Sequence, residues 1–271
     1  MKYNGKKAET STAAGIAKAI ADTAYGAYEK RVLTEVKLYP TPGHVAVIMD
    51  GNRRYAREME LMPGEGHEKG KNKLEQMLDW CLLLDIKVLT VYAFSTENMN
   101  RNSEEVETLM RMFEENFRKV GDDERVHKHR IRIKAIGQIE ILPDSVQKAI
   151  KYAEDRTRNY TDYTYNIAVA YGSRQEMLSA IRKIASGAKS GEIRVEEIDE
   201  KLVSRYLYTD GMPDPDLVLR TSGEERISNF LLWQTAYSEL YFSDVYWPTF
   251  SFLDFLRAIR SFQLRKRRFG E

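Results

Sequence analysis

Residues 44–55 read HVAVIMDGNRRY, and this stretch decides the fold. From His44 to Met49 the run is apolar without alternation, as a strand reads when both faces of its sheet are covered. It passes straight into Asp50, Gly51, Asn52, Arg53, Arg54 and Tyr55. Gly51 permits a tight turn and a close backbone approach, and the segment after it is placed to open a helix. Strand, turn and helix in that order put a polar cluster at the C-terminal end of a strand, where parallel α/β sheets hold their ligands.

The rest of the chain repeats the pattern. Strands are predicted over 45–49, 88–94, 131–136, 165–170, 217–220 and 240–245. Helical spacing links Leu74, Met77/Leu78, Cys81 and Leu84, and also Val106, Leu109, Met110 and Phe113 after an Asn102/Glu105 cap. Asp144/Gln147, Ser173/Glu176 and Ser251/Asp254 read as further cap pairs. Such alternation predicts an α/β fold with a mainly parallel sheet flanked by helices. No repeat, low-complexity tract or linker follows Gly43, so the expectation is one domain over 44–271. Before it lie a polar tail, 1–12, and a helix over 13–38 with Ile16, Ile20, Ala24, Ala27, Val32 and Val36 as its stripe. That helix reads either as docked on the domain or as lying on a membrane surface, with Lys18, Lys30, Arg31 and Lys37 outward.

Composition narrows the function. Of 271 residues 42% are hydrophobic and 31% charged, with 42 basic against 41 acidic side chains and a net charge of +1. A balance this even argues against general nucleic-acid binding. One cysteine excludes a disulfide framework or a cysteine-built zinc site. The absence of an apolar run of about 18 residues argues against a membrane span, and the N-terminus lacks an apolar secretory core. The expected location is the cytoplasm, with at most transient contact with a membrane surface.

Function must therefore come from local motifs. Asp50 with free helix amides and two arginines reads as a metal–phosphate site, since a divalent cation would let Asp50 and a phosphate share one place. The same residues also read as a turn flanked by solvated arginines. Gly66-His67-x-x-Gly70 either brings an imidazole to that pocket or holds a structural histidine. The second strand runs out into Ser95, Thr96, Glu97, Asn98, Met99 and Arg101, the fifth into Arg220, Thr221, Ser222, Gly223, Glu224, Arg226, Ile227 and Ser228. Three strand ends carrying arginines suit a diphosphate, whose oxygens the guanidinium fork takes two at a time. Asn52 stands where an aspartyl-phosphate hydrolase carries its second acid, which counts against a phosphatase.

HVAVIMDGNRRYA, GHEKG, LTVYAFSTENMNR, LVLRTSGEERISNFLLWQTAYSEL and RRFG resemble, in order and separation, the five signature blocks of the cis-prenyltransferases. That family includes undecaprenyl diphosphate synthase and the catalytic subunit of dehydrodolichyl diphosphate synthase. The resemblance covers about residues 40–271 and leans toward archaeal and eukaryotic members. It implies a six-stranded sheet, an apolar tunnel, a homodimer and a Mg²⁺-dependent condensation of an allylic prenyl diphosphate with isopentenyl diphosphate. The product would be a (poly)cis-polyprenyl diphosphate, the precursor of a glycosyl-carrier lipid.

Carried over by motif, Asp50 organises Mg²⁺ and the allylic diphosphate, and Glu239 completes the metal site. Gly51, Asn52, Arg53, Arg54, Tyr55 and His67 hold the allylic diphosphate. Ser95, Thr96, Glu97 and Met99 line the junction of the substrates. Asn98 orients isopentenyl diphosphate for proton loss, with Ser95 or a diphosphate oxygen as acceptor. Arg101, Arg220, Arg226, Ile227 and Ser228 bind that substrate, and Arg268 and Gly270 reach it from the partner subunit. The chain departs from the family at Pro63, where an arginine is usual, at Met99 for an aromatic residue, and at Gly137-Gln138 for Gly-Asp. Two other readings are a short-chain or non-standard prenyl diphosphate synthase using a different acceptor, and a non-catalytic subunit of a heteromeric enzyme. The second is disfavoured by the presence of Asp50, Arg54, Asn98, Arg220, Arg226 and Glu239.

Overall fold

A computed structural model describes residues 23–265. The sheet has six parallel strands: β1 (His44–Ile48), β2 (Val88–Ser95), β3 (Ile131–Ile136), β4 (Tyr163–Tyr171), β5 (Leu217–Arg220) and β6 (Glu239–Phe242). Their order is β3-β4-β2-β1-β5-β6, and every pairing is parallel. β1 is fully buried along its length, as its unbroken apolar run requires. From β1 the chain winds first toward β2 and later returns to the other side at β5. The crevice beyond β1 and β5 is thus the switch point where α/β sheets bind ligands.

The described helices are α1 (23–36), α2 (Asn52–Glu58), α3 (Pro63–Leu83), α4 (Ser103–Asp122), α5 (Glu124–Lys128), α6 (Asp144–Thr157), α7 (Ser173–Ser190), α8 (Glu200–Tyr206) and α9 (Phe252–Leu264). Under one part of the sheet Ala46, Ile48, Ala168, Tyr171, Val218 and Phe230 form a buried cluster, with Tyr92 stacked on Phe230 at 4.6 Å. The sheet and its helices, 42–250, make one compact unit, and residues 23–41 group with 251–265 in a second. In the second unit Gln263 Nε2 donates to the carbonyls of Val36, Tyr39 and Pro40, and Arg260 pairs with Glu35 at 3.1 Å. The predicted helix over 13–38 is helical from 23 to 36, and its earlier part lies outside the described residues. Among the described residues no helix is long and apolar enough to cross a membrane.

The predicted strands match five of the six observed ones closely. The sixth starts at Glu239 and stops at Phe242 rather than running over 240–245. Beyond Phe242 the backbone leaves the ladder: the amides of Ser222 and Gly223 donate to the carbonyls of Val245 and Ser243. Among the cap pairs, Ser251 and Asp254 form a reciprocal box. Ser173 and Glu176 do not, because Glu176 is buried and takes up Tyr171 Oη and the Tyr208 amide instead. Asp144 makes no side-chain cap for α6. Asn102 does cap α4, through the amide of Glu104, while Glu105 is engaged elsewhere.

Candidate active site

Asp50 lies two residues beyond β1, and Arg220 ends β5 level with Ile48. One carboxylate oxygen of Asp50 accepts from Arg220 Nη2 at 2.8 Å. The other accepts from the Gly51 amide at 2.7 Å and lies 3.3 Å from Arg54 Nη2. Burial pushes the Asp50 carboxyl up, but the hydrogen bond and charge of Arg220, with the charge of Arg54, hold it below the ordinary carboxylate value. It is therefore an anion at neutral pH. Arg220 is 4% exposed. It also donates from Nη1 to Ser228 Oγ at 2.7 Å and to the Arg226 carbonyl. Its buried Nε has no hydrogen-bond partner among the described residues. An unmet donor here suits a further anionic group.

The turn that carries Asp50 depends on Gly51. Its φ is 104°, and a Cβ there would stand 2.7 Å from the Tyr246 ring. Gly51→Ala is expected to lose about 2–3 kcal/mol of stability and most activity, checked by thermal denaturation and by turnover. Retained activity at wild-type stability would show that the turn relaxes without displacing Asp50.

His67 reaches the site because α3 lies close against the start of α2. A Cβ on Gly66 would stand 2.5 Å from the Asn52 carbonyl, and one on Gly70 2.4 Å from Asn52 Oδ1. That is the physical reason for glycines on either side of His67. Burial lowers the pKa of His67 and outweighs the neighbouring Glu105 carboxylate, so the ring is neutral at pH 7. Glu105, the residue sequence reasoning used only as a cap, gathers two arginines and the neutral imidazole: Arg101 at 3.1 Å, His67 at 3.4 Å and Arg53 at 3.7 Å. Its position four residues after Arg101, at the start of α4, was the available signal. Glu224 does the same for Arg54, at 2.8 Å, and for Arg226.

After β2 the chain makes a short 3₁₀ turn, Thr96–Asn100. The Asn98 amide N–H donates to Ser95 Oγ, and the Ser95 amide N–H donates to Asn98 Oδ1, both at 3.2 Å. This reciprocal pair fixes Asn98 at the edge of the cavity.

Two polar cavities meet here. One of about 700 Å³ is lined by Asp50, Gly51, Asn52, Arg53, Arg54, His67 and Arg101, among others. The second, about 600 Å³, adds Ser95, Glu97, Asn98, Arg220, Arg226 and Ser228 and shares Asp50, Asn52, His67 and Arg101 with the first. A narrower space shares Met49, Asn52, His67 and Ala93 with the second cavity and continues past Leu74, Met112 and Phe113. It shares Lys71, Leu74, Phe113 and Asn116 with a pocket of about 110 Å³ between α3 and α4, whose exposed lining is chiefly apolar.

Several expected residues take other places. Tyr55, Thr96, Met99 and Ile227 line neither polar cavity; Thr96 Oγ1 is buried beside Gly172, where a Cβ would approach it to 2.9 Å. Glu239 does not complete a site with Asp50 within one chain. It pairs with Leu217, which pairs with Val45, so it stands level with Val45, five strand residues or roughly 16 Å before Asp50. Arg268 and Gly270 lie outside the described residues. Sequence reasoning missed Asn229, whose amide donates to Glu97 at 3.1 Å, as well as Glu105.

An open parallel α/β sheet with Arg54 and Arg220 converging on one strand-end carboxylate suits an enzyme that binds phosphorylated substrates. A model of the putative undecaprenyl diphosphate synthase family matches residues 48–270, and the chain belongs to that family of prenyltransferases. It is 56% identical over 256 residues to a Thermoplasma volcanium protein named tritrans,polycis-undecaprenyl-diphosphate synthase (geranylgeranyl-diphosphate specific), covering 94% of this chain and 99% of that one. A Pyrococcus horikoshii protein of the same name is 56% identical over 247 residues, 91% of this chain and 94% of the other. Among solved structures, lavandulyl diphosphate synthase from Lavandula x intermedia, in complex with dimethylallyl diphosphate, superposes with a TM-score of 0.82 at 40% identity. A probable undecaprenyl diphosphate synthase from Campylobacter jejuni gives 0.69 at 30%. Each alignment covers 85% of this chain and 99% of the solved one. The chain is a cis-prenyltransferase that condenses prenyl diphosphates with isopentenyl diphosphate.

Proposed function

We propose that the chain extends geranylgeranyl diphosphate with successive isopentenyl diphosphates to a tritrans,polycis-polyprenyl diphosphate of the undecaprenyl class, for use as a glycosyl-carrier lipid precursor. The observation that carries this is the pair of adjoining arginine-lined cavities sharing Asp50, with pockets of chiefly apolar lining beside them. The relatives named for the geranylgeranyl primer supply the choice of allylic substrate.

In this reading the first cavity takes the allylic diphosphate. The amides after Gly51, with Arg54 and His67, hold its oxygens. The second takes isopentenyl diphosphate, with Arg101, Arg220, Arg226 and Ser228 as donors, and Asn98 orients the carbon that loses its proton. Asp50 also suits Mg²⁺: a single hard carboxylate plus substrate phosphates is how that ion is commonly held, and the described residues contain no cluster of three acidic, His or Cys ligands. Bound there, the ion would supply charge stabilisation for the departing diphosphate. The arginines stabilise the same developing charge. The apolar channel keeps water from the cation-like carbon and receives the growing chain. Arg268 and Gly270 are assigned to the isopentenyl site of the partner in a homodimer. Peripheral contact with the membrane surface fits an apolar product.

The test is product analysis with labelled isopentenyl diphosphate and primers from dimethylallyl to geranylgeranyl diphosphate. Preference for the longest primer, giving polycis products, is expected; single-condensation products would favour the short-chain alternative. A related expectation concerns Pro63, the first residue of α3. Pro63→Arg should tighten the allylic KM by roughly 0.5–2 kcal/mol, one charge-assisted hydrogen bond. An unchanged KM in steady-state kinetics would mean that Arg53 or Arg57 already fills the role.

A further inference from the structure

The functional reading leaves open what stops elongation, and the far end of the apolar channel carries an ion-pair cluster that the chemistry does not use. The pocket runs between Leu74 and Leu78 of α3 and Phe113, Phe117 and Val120 of α4. α4 packs closely on α6 but sparsely on α3. The α3 and α4 backbones are therefore spaced apart, and the pocket lies between them. At its end it is crossed by charge. Lys119 Nζ on α4 donates to Glu75 Oε1 on α3 at 2.7 Å. Arg125 Nη1 reaches both oxygens of Asp79 on α3, at 3.0 and 3.1 Å. The same guanidinium grips Asp123 through Nε at 3.1 Å and Nη2 at 2.6 Å, while Asp123 caps α5 by accepting from the Arg125 amide at 2.8 Å. Glu75, Lys119, Asp123 and Arg125 all line the pocket.

We propose that this network, Glu75–Lys119 and Asp79–Arg125–Asp123, is the chain-length stop: an electrostatic strap tying α3 to the α4–α5 junction across the end of the channel. The proposal rests on the prenyl-elongation reading above. A growing chain that fills the apolar pocket meets charged groups in place of carbon. Its next isoprene unit has either to part the pairs, uncovering charges to apolar surface, or to emerge between them into water; both oppose insertion. A single exposed pair is weak. Here two cations, Lys119 of α4 and Arg125 of α5, join two acids of α3, and Arg125 is held by both arms of its fork, to Asp79 and to Asp123, which fixes geometry as well as charge. The cluster lines neither polar cavity, so it bears on where elongation ends rather than on each condensation.

The test uses the full-length protein with its preferred primer, and reads product length. Neutralising the strap with Glu75→Gln, Lys119→Met, Asp79→Asn and Arg125→Met together should raise the ratio of next-longer to dominant product about threefold to tenfold, the summed worth of two or three exposed pairs. The rate of the first condensation should stay within about twofold. Reversing one pair, Glu75→Lys with Lys119→Glu, should restore the wild-type length, whereas Glu75→Lys alone should lengthen the product. Circular dichroism and thermal melting confirm that the variants fold. Unchanged lengths in a folded, elongating neutral variant would overturn the proposal, as would lengthening that follows only Phe117→Ala, which would make bulk the stop. A wild-type protein that elongates no primer would overturn the functional reading itself, a distinct result.

Discussion

Asp50→Ala is expected to abolish prenyl transfer, with kcat falling about 10³-fold or more, the worth of several kcal/mol of leaving-group stabilisation. The carboxylate is the one acidic group that both polar cavities share. Its surroundings keep it ionised, since Arg220 and Arg54 more than offset its burial. Charge and packing are separable here. Asp50 also receives the Gly51 amide and Arg220 Nη2, so alanine removes two acceptors and costs stability as well. Asp50→Asn keeps an acceptor oxygen and removes the charge. Its melting temperature should stay closer to wild type than that of the alanine variant, while its turnover with Mg²⁺ should fall comparably. Near-normal turnover of the asparagine variant would remove Asp50 from the metal and diphosphate roles assigned to it.

The backbone of this site was legible because parallel strands buried on both faces announce themselves as unbroken apolar runs. β1 and β5 needed nothing more than that. The edge strand was harder: Val245 extends the apolar reading, but Ser243 and Asp244 precede it, and the backbone there serves the turn at Ser222–Gly223. Site residues on strand ends and glycine-flanked turns, such as Asp50, His67 and Arg220, were legible for the same reason. Motif adjacency was a poorer guide to direction. Thr96 and Met99 share a turn with Asn98 yet line neither cavity, because a 3₁₀ turn sends successive side chains to different sides. Glu239 needed the strand register, which places it at the opposite end of the sheet from Asp50 and which spacing alone does not contain. Glu105 and Glu224 were hidden by their ordinary look: Glu105, in the first turn of α4, reads as a cap or a dipole partner, and Glu224, in the loop after β5, reads as a solvated acid, whereas the fold brings Arg54 against it.

Arg220→Met should lower kcat/KM by roughly 10²–10³, because a preorganised donor to developing charge is lost, and should destabilise the protein at the same time. The guanidinium is 4% exposed, against 29% for the Asp50 side chain. Removing one partner of a buried pair costs about 3–5 kcal/mol. Here the partner is partly solvated and retains Arg54 and the Gly51 amide, so about 2–3 kcal/mol is the expected loss. The pH dependence gives the claim a sign. Asp50 is held below its unfolded value by Arg220 and Arg54, so its contribution to stability is fully present above the unfolded carboxylate pKa of about 3.9 and is lost as pH falls toward its native value. The stability gap between wild type and Arg220→Met should therefore stay constant from neutral pH down to about pH 4 and narrow below it. In the Asp50→Asn background the same Arg220→Met change should cost less and show little narrowing, since no charge remains at position 50 to be stranded. A gap that does not depend on pH in either background would mean that Arg220 stabilises through its bonds to Ser228 and the Arg226 carbonyl, and that Asp50 is held in place by the Gly51 turn alone.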